Sequence, residues 1–119
     1  MDFETVRTIG LAFRGVEEST FFGQPALKIG GRMFACLASH SSAEPDSLVV
    51  RIDFSRRQEL LAEAPEVYYV TEHYLGYPGV LVRLKRVRPD ALRGLLAGAL
   101  QFVQMQSSER TARNPSRRK

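Results

Sequence analysis

Residues 23–37 have the sequence GQPALKIGGRMFACL, in which two apolar stretches meet at Gly30-Gly31. A two-residue type I′ turn requires positive φ at both central positions, and a glycine pair meets that requirement without strain. The pattern therefore predicts a β-hairpin with its tip at the glycines. If the turn holds only those two residues, Leu27 faces Phe34 across the hairpin and forms an apolar pair with it.

The same glycines do not fit a phosphate-binding loop. A Walker loop needs G-x-x-x-x-G-K-[ST], and a dinucleotide-binding turn needs G-x-G-x-x-G between a strand and a helix. Here the spacing differs, and the stretch leads into a second strand. Lys28 and Arg32 lie on either side of the predicted tip, where they would either form a basic contact surface or simply be solvated.

Apolar spacing predicts helices and further strands around this hairpin. Asp2 is placed to cap a helix over residues 2–13, and Ser55 with Gln58 forms a capping-box pattern ahead of a second helix. The stretch RGVEEST, residues 14–20, breaks the periodicity and predicts a loop. The remaining predictions are strands over residues 48–54, 67–70 and 80–87 and a last helix that begins at Pro89.

The resulting order, α-β-β-β-α-(β)-β-α, favours an α+β fold: an antiparallel sheet of about five strands packed against two to three helices. A chain of 119 residues is within the size range of one domain. We expect residues 1–106 to form that domain. Residues 107–119, SSERTARNPSRRK, contain few apolar side chains and are predicted to be a disordered, Arg-rich tail.

Cysteine usage and hydropathy predict the compartment. The single Cys36 excludes an intramolecular disulfide framework and fits a reducing environment. The start, MDFETVRTIG, has neither the basic nor the continuous apolar region of a signal peptide. The longest uncharged apolar stretch, residues 95–103, is far shorter than the roughly 18 residues of a membrane span. We expect a bacterial-type cytoplasmic protein, and we assume a monomer.

The net charge of +4 is unevenly distributed. Residues 107–119 contain five basic groups and one acid, whereas residues 1–106 contain 12 basic and 12 acidic side chains. The basic character therefore belongs to the predicted tail. Flexible Arg-rich ends attract anionic polymers by releasing counterions, although such an end can also serve only solubility.

No catalytic or metal-binding motif is recognisable. Cys36, His40 and His73 are the only cysteine and histidine residues, whereas structural zinc usually takes four such ligands. Cys36 and His73 could meet in space as a thiol–imidazole pair. However, a cysteine in the middle of an apolar strand has a raised pKa and little thiolate.

The acidic candidates for acid–base chemistry are Glu17, Glu18 and Asp53, and each would need burial or a charged neighbour to act. The sequence gives no sign of either. We therefore predict no catalytic residue, no metal and no cofactor, and an enzymatic function is unsupported.

The stretch TEHYLGYPGVLVRLKRVRP, residues 71–89, mixes aromatic with basic side chains. Such interleaving can stack on bases and neutralise phosphates. The alternative is that the aromatic rings cap the core while the basic groups cover an exposed strand face. The residues concerned are His73, Tyr74, Tyr77, Arg83, Lys85, Arg86 and Arg88.

Two stretches resemble the MmcQ/YjbR-like family. Residues 15–37, GVEESTFFGQPALKIGGRMFACL, have a Gly-Val-Glu-Glu start, then Gly-x-Pro-Ala, then a Gly-Gly hairpin into Phe-Ala. Residues 72–84, EHYLGYPGVLVRL, precede a final helix as a second family-like block. The resemblance covers about residues 1–106 and leaves out the Arg-rich tail.

This resemblance implies a compact α+β domain, frataxin-like in outline and described as a double wing, for which DNA binding has been suggested from shape. It implies no catalytic residues. The hairpin is also similar to one in the N-terminal domain of TfoX-type competence regulators, which implies a regulatory or nucleic-acid setting. Fold analogy alone is a weak reason to assign a function.

Our leading hypothesis from the sequence is a module that binds DNA or RNA through phosphate contacts. The alternative is a protein-interaction module with no nucleic-acid role, which would use an exposed sheet edge or the Tyr-rich loop TEHYLGYPG, residues 71–79. The predicted nucleic-acid contacts are Lys28, Arg32, Arg83, Lys85, Arg86, Arg88, Arg110, Arg113, Arg117 and Arg118.

Overall fold

The computed structural model describes the backbone of residues 1–117 and the side chains of residues 1–106. The predicted tail, residues 107–119, lies outside the residues whose side chains are described. The helices are α1 (Phe3–Leu11), α2 (Phe54–Glu63) and α3 (Pro89–Arg117). The strands are β1 (Val16–Phe21), β2 (Gln24–Ile29), β3 (Arg32–Leu37), β4 (Ser47–Arg51), β5 (Tyr68–Tyr69) and β6 (Gly79–Arg83), and a 3₁₀ turn (Glu72–Tyr74) joins the last two.

The strands form one sheet in the order β1-β2-β3-β4-β6-β5, and every neighbouring pair is antiparallel. This confirms the predicted α+β fold of an antiparallel sheet packed on helices. The predicted loop over residues 14–20 is wrong, because Val16–Phe21 forms β1 and pairs with β2 along its whole length. Edge strands commonly carry charged side chains, and here the two glutamates hide the apolar alternation.

The hairpin is confirmed, with a correction to its register. Gly30 and Gly31 have φ of +57° and +78°, the left-handed conformation that a type I′ turn requires. A β-bulge then shifts the pairing, so that Leu27 lies opposite Ala35 and not opposite Phe34. Both Leu27 and Phe34 are nonetheless fully buried in the same core.

The two faces of the sheet are covered differently. The buried residues of all three helices pack against one face, where they form the main core with inward side chains such as Val50 and Val82. The other face, called the open face below, is covered by loops. Its buried residues are Ala26, Met33, Cys36, Val49 and Leu81, with side chains of the segments 38–43 and 69–77 packed on them.

Local signals at the element ends are partly as predicted. Asp2 caps α1 by accepting from the Thr5 amide at 3.3 Å. The N-cap of α2 is Asp53, which accepts from the Arg56 amide at 2.7 Å, and not Ser55. Strand β6 ends at Arg83, earlier than predicted, and a turn over residues 84–86 follows it.

Candidate binding pocket on the open face of the sheet

The open face contains a pocket of about 240 Å³. Met33 and Cys36 of β3 and Val49 of β4 belong both to its lining and to the buried cluster of this face. These side chains therefore form an apolar floor, and two loops from opposite sides supply the walls.

The first wall is the turn between β1 and β2. Phe21 and Phe22 line the pocket, with ring centroids 4.7 Å apart and planes at 70°. Phe22 has φ of +52° and Gly23 has φ of +78°, so a second tight turn places an aromatic residue in the left-handed conformation. Phe22 is 81% exposed. This large apolar ring stands at the pocket edge with little burial of its own.

The second wall is the Tyr-rich loop between β5 and β6, from which His73, Tyr74 and Tyr77 line the pocket. The His73 ring stacks on His40, with centroids 3.5 Å apart and planes 9° apart. The Ser42 and Thr71 hydroxyls also form a hydrogen bond of 2.8 Å. The β3–β4 loop and the Tyr-rich loop therefore support each other beside the pocket.

Arg57 of α2 holds the Tyr-rich loop from the inside. It is 6% exposed, and its guanidinium donates to the Tyr74, Leu75, Tyr77 and Gly79 carbonyl oxygens at 3.4, 2.9, 3.0 and 3.1 Å. Burial lowers the pKa of this guanidinium. No signal in the sequence marks Arg57, because a basic residue early in a helix is ordinarily exposed and the loop that it binds lies about 20 residues further along the chain.

The pocket chemistry suits binding and not nucleophilic attack. Cys36 and His73 both line it, but burial raises the pKa of the Cys36 thiol to about 11, which suppresses the thiolate. Burial also raises the pKa of Tyr74 and Tyr77, so their hydroxyls stay neutral at physiological pH. No carboxylate is among the lining residues.

The predicted acid–base candidates lie elsewhere. Glu18 is 2.9 Å from Arg7 of α1 in an ion pair, and Asp53 caps α2. Glu17 is exposed on β1. Among residues 1–106, no three histidine, cysteine or acidic side chains cluster in a way that could hold a metal ion.

The predicted basic contacts near β6 are mostly engaged with acids. The Arg83 guanidinium donates hydrogen bonds to both carboxylate oxygens of Glu44, at 2.8 and 2.9 Å. It also lies 4.3 Å from the Tyr69 ring centroid. Lys85 is 3.6 Å from Asp46, and Arg88 is 3.7 Å from Asp90. Arg86 is exposed in the turn after β6.

The other predicted basic contacts lie at the opposite end of the sheet. Lys28 and Arg32 flank the hairpin tip, and Arg32 begins β3. The last residue of β3, Leu37, pairs with Leu48 of β4. Arg83 pairs with Ser47, the residue before Leu48 in β4. Arg32 and Arg83 are therefore six residue steps apart along the strand direction, which is roughly 20 Å. The side chains of Arg110, Arg113, Arg117 and Arg118 lie outside the described residues.

No helix in the described part of the chain is long and apolar enough to cross a membrane.

The fold and the pocket define the class of protein. It is an α+β domain with six antiparallel strands, helices on one face of the sheet and an aromatic pocket on the other. The sequence model of the YjbR family matches residues 11–101, so the chain belongs to that family.

The chain is also similar to known proteins of other organisms. Two are uncharacterized proteins of Mycobacterium tuberculosis and Mycobacterium bovis, each 37% identical over 65 residues. Each match covers 51% of this chain, which spans about half the length of these relatives (50%). A crystal structure of Deinococcus radiodurans protein DR2400, with a DUF419 domain, superposes with a TM-score of 0.67 at 24% identity over 86% of this chain and 78% of that one, which shows a shared fold.

Proposed function

We propose that this domain is a non-catalytic protein-interaction module that holds an apolar side chain of its partner in the open-face pocket. The supporting observation is a juxtaposition: the end of edge strand β1 and the Tyr-rich loop line one pocket. An edge strand offers backbone donors and acceptors to an extended peptide. The aromatic pocket beside it can bury an anchoring side chain, and such anchors carry most of the binding energy of an interface.

Phe22 gives this proposal independent support. A non-glycine residue in the left-handed region costs of order 1 kcal/mol, and Phe22 recovers little of that through burial because its ring is 81% exposed. Asparagine or glycine would suit the turn better. Residues that go against both local and global preferences are expected at interaction sites.

Selection from a random peptide display library tests the proposal. Peptides that bind the full chain are expected to lose about tenfold or more in affinity for the variants Phe22→Asn and Tyr74→Ala. The matched control is Met105→Ala, which removes another exposed apolar side chain, 61% accessible, from α3 outside the pocket lining. Selected peptides that bind all of these forms equally would contradict the proposal.

A second candidate function is nucleic-acid binding through phosphate contacts, and one observation favours it. Gln106 accepts a hydrogen bond of 2.8 Å from Arg51. Arg51 is the last residue of β4 and pairs with Gly79, so it lies at the same end of the sheet as the hairpin tip. Gln106 therefore lies at the end of the sheet where Lys28 and Arg32 lie, and the Arg-rich residues 107–119 follow it in the sequence. Lys28 and Arg32 are separate from the acid-paired groups near β6.

A further inference from the structure

The pocket has the size of a two-ring aromatic group. Its volume is about 240 Å³, whereas an engineered apolar cavity of about 150 Å³ binds benzene. The ratio of these volumes, about 1.6, is close to the ratio of nine ring atoms in indole to six in benzene. A smaller aliphatic side chain would leave part of the pocket unfilled and forfeit dispersion contacts.

The lining favours a ring over an alkyl chain. Phe21, Tyr74 and Tyr77 contribute aromatic rings, and Met33 and Cys36 contribute sulfur atoms. Edge-to-face ring contacts and sulfur–aromatic contacts both add to the binding of an aromatic group beyond its buried area. These contributions are absent for an aliphatic side chain of similar size.

The lining also includes an exposed residue with a hydroxyl group, Ser39. Ser39 belongs to the lining, and its hydroxyl makes no hydrogen bond among the described residues of its loop, whereas Ser42 and Ser47 do. The indole N–H is a donor without acceptor capacity, so the Ser39 oxygen is a suitable partner. The exposed Phe22 ring at the pocket edge can then cover the outer side of the bound group.

We propose that the pocket receives the indole ring of a tryptophan from an extended segment of a protein partner. The indole N–H donates to the Ser39 hydroxyl, and the ring packs between the Tyr-rich loop and Phe22. This inference rests on the proposed protein-interaction function and adds the identity of the anchoring side chain.

Titration with N-acetyltryptophanamide tests the proposal directly, because this chain contains no tryptophan and indole fluorescence therefore has no background. Amide NMR shifts locate the site. We expect shifts at Met33, Cys36 and Tyr74, with affinity about 3- to 10-fold tighter than for N-acetylleucinamide. Equal affinity for the two probes at the pocket overturns the indole assignment and leaves the interaction function standing. Failure of both probes to shift pocket residues overturns both proposals.

Two further comparisons keep the test independent of folding. Phe22→Asn is expected to weaken N-acetyltryptophanamide binding while leaving the thermal midpoint unchanged or higher, because asparagine tolerates the left-handed turn position. Ser39→Ala is expected to reduce affinity for N-acetyltryptophanamide but not for its 1-methylindole analogue.

Discussion

At Arg57 a positive charge lies inside the domain with carbonyl oxygens, and no carboxylate, as its hydrogen-bond partners. Its guanidinium centre also lies 4.8 Å from the Phe54 ring centroid. Backbone dipoles of the Tyr-rich loop therefore compensate the charge, and in return the charge fixes the loop that forms one wall of the pocket. Arg57 is thus a positioning residue for the candidate site.

Replacing Arg57 is expected to cost far more stability than replacing its neighbour. Arg57→Ala removes the donors to one buried and three partly buried hydrogen bonds with carbonyl groups, which should lower the free energy of unfolding by about 2–4 kcal/mol. Arg56→Ala is the matched control, because Arg56 is exposed and makes a surface ion pair with Glu59. Urea unfolding of both variants measures the difference. Equal small losses in both variants would contradict the role given to Arg57.

Gly10 allows α1 to lie directly on the sheet. A Cβ atom added there would overlap the Leu27 side chain, which is fully buried. Gly94 of α3 is exposed, with no heavy atom of the described residues within 4 Å of an added Cβ. Both glycines are helical, Gly10 in the last turn of α1 and Gly94 in the second turn of α3, and they differ in the space around them.

Alanine should therefore have opposite effects at these two positions. Gly94→Ala is expected to raise the free energy of unfolding by about 0.5–1 kcal/mol through helix propensity. Gly10→Ala gains the same propensity but must displace Leu27 in a packed core, so a net loss of about 1–2 kcal/mol is expected. Thermal and urea unfolding measure both effects. Stabilisation by Gly10→Ala would show that the core around Leu27 has room to adjust.

At the scale of elements, Arg83 joins segments that are far apart in the chain. It pairs with Glu44 of the β3–β4 loop, and it donates to the Pro65 and Glu66 carbonyl oxygens at 3.0 and 3.3 Å. Its ring contact with Tyr69 adds β5 to the group. The side chain that the sequence suggested as a phosphate contact therefore ties one end of the sheet together.

This ion pair should make stability depend on pH in the acid range. The hydrogen bond from Arg83 lowers the pKa of Glu44. A lowered folded-state pKa stabilises the native state above the unfolded pKa of about 4.3, and that stabilisation is lost as pH falls through the folded pKa. The difference in the free energy of unfolding between the unsubstituted protein and the Glu44→Gln variant should thus shrink as the pH falls from about 6 to about 3. Urea unfolding across this range measures it, and a difference that stays constant with pH would contradict the coupling.

Local signals in the sequence predicted the elements well and their contacts less well. The glycine hairpin and the Asp2 cap were predictable because each depends on neighbouring residues alone. Strand β1 was missed because its identity depends on pairing with β2. The partnership of Arg83 with Glu44 spans 39 residues, and no local pattern records such a contact.

The pocket was predictable only in part, for the same reason. The Tyr-rich loop was already an interaction candidate, and so was a sheet edge, but their juxtaposition depends on the strand order. Strand β6 lies between β4 and β5, which brings the loop before it over the open face. Only the completed sheet then places that loop opposite Phe22.

At the scale of the whole molecule, the net positive charge is concentrated at the C-terminal end of the sequence. Residues 1–106 carry equal numbers of acidic and basic side chains, and the net charge of +4 belongs to residues 107–119. Several cations of the folded body are paired with acids. Any affinity for a polyanion should therefore depend mainly on the C-terminal residues, with a smaller contribution from the hairpin end.

A salt titration of DNA and RNA binding tests that dependence. If about four phosphates are neutralised, affinity should fall roughly 100-fold between 50 and 200 mM salt. Removing residues 107–119 should abolish most of the binding, because it removes the net positive charge. Absence of measurable binding by the full chain at low salt would eliminate the nucleic-acid function.

Paired substitutions then decide which end of the body takes part. Replacing Lys28 and Arg32 with glutamine should make the slope of log affinity against log salt shallower by about 1.8, at about 0.9 for each lost phosphate contact. The same replacement of Lys85 and Arg86, at the opposite end of the sheet, is the matched control and should leave the slope unchanged. The reverse result would place the phosphate contacts beside β6. Equal effects of both pairs would mean that binding depends on the net charge and not on where the basic side chains lie.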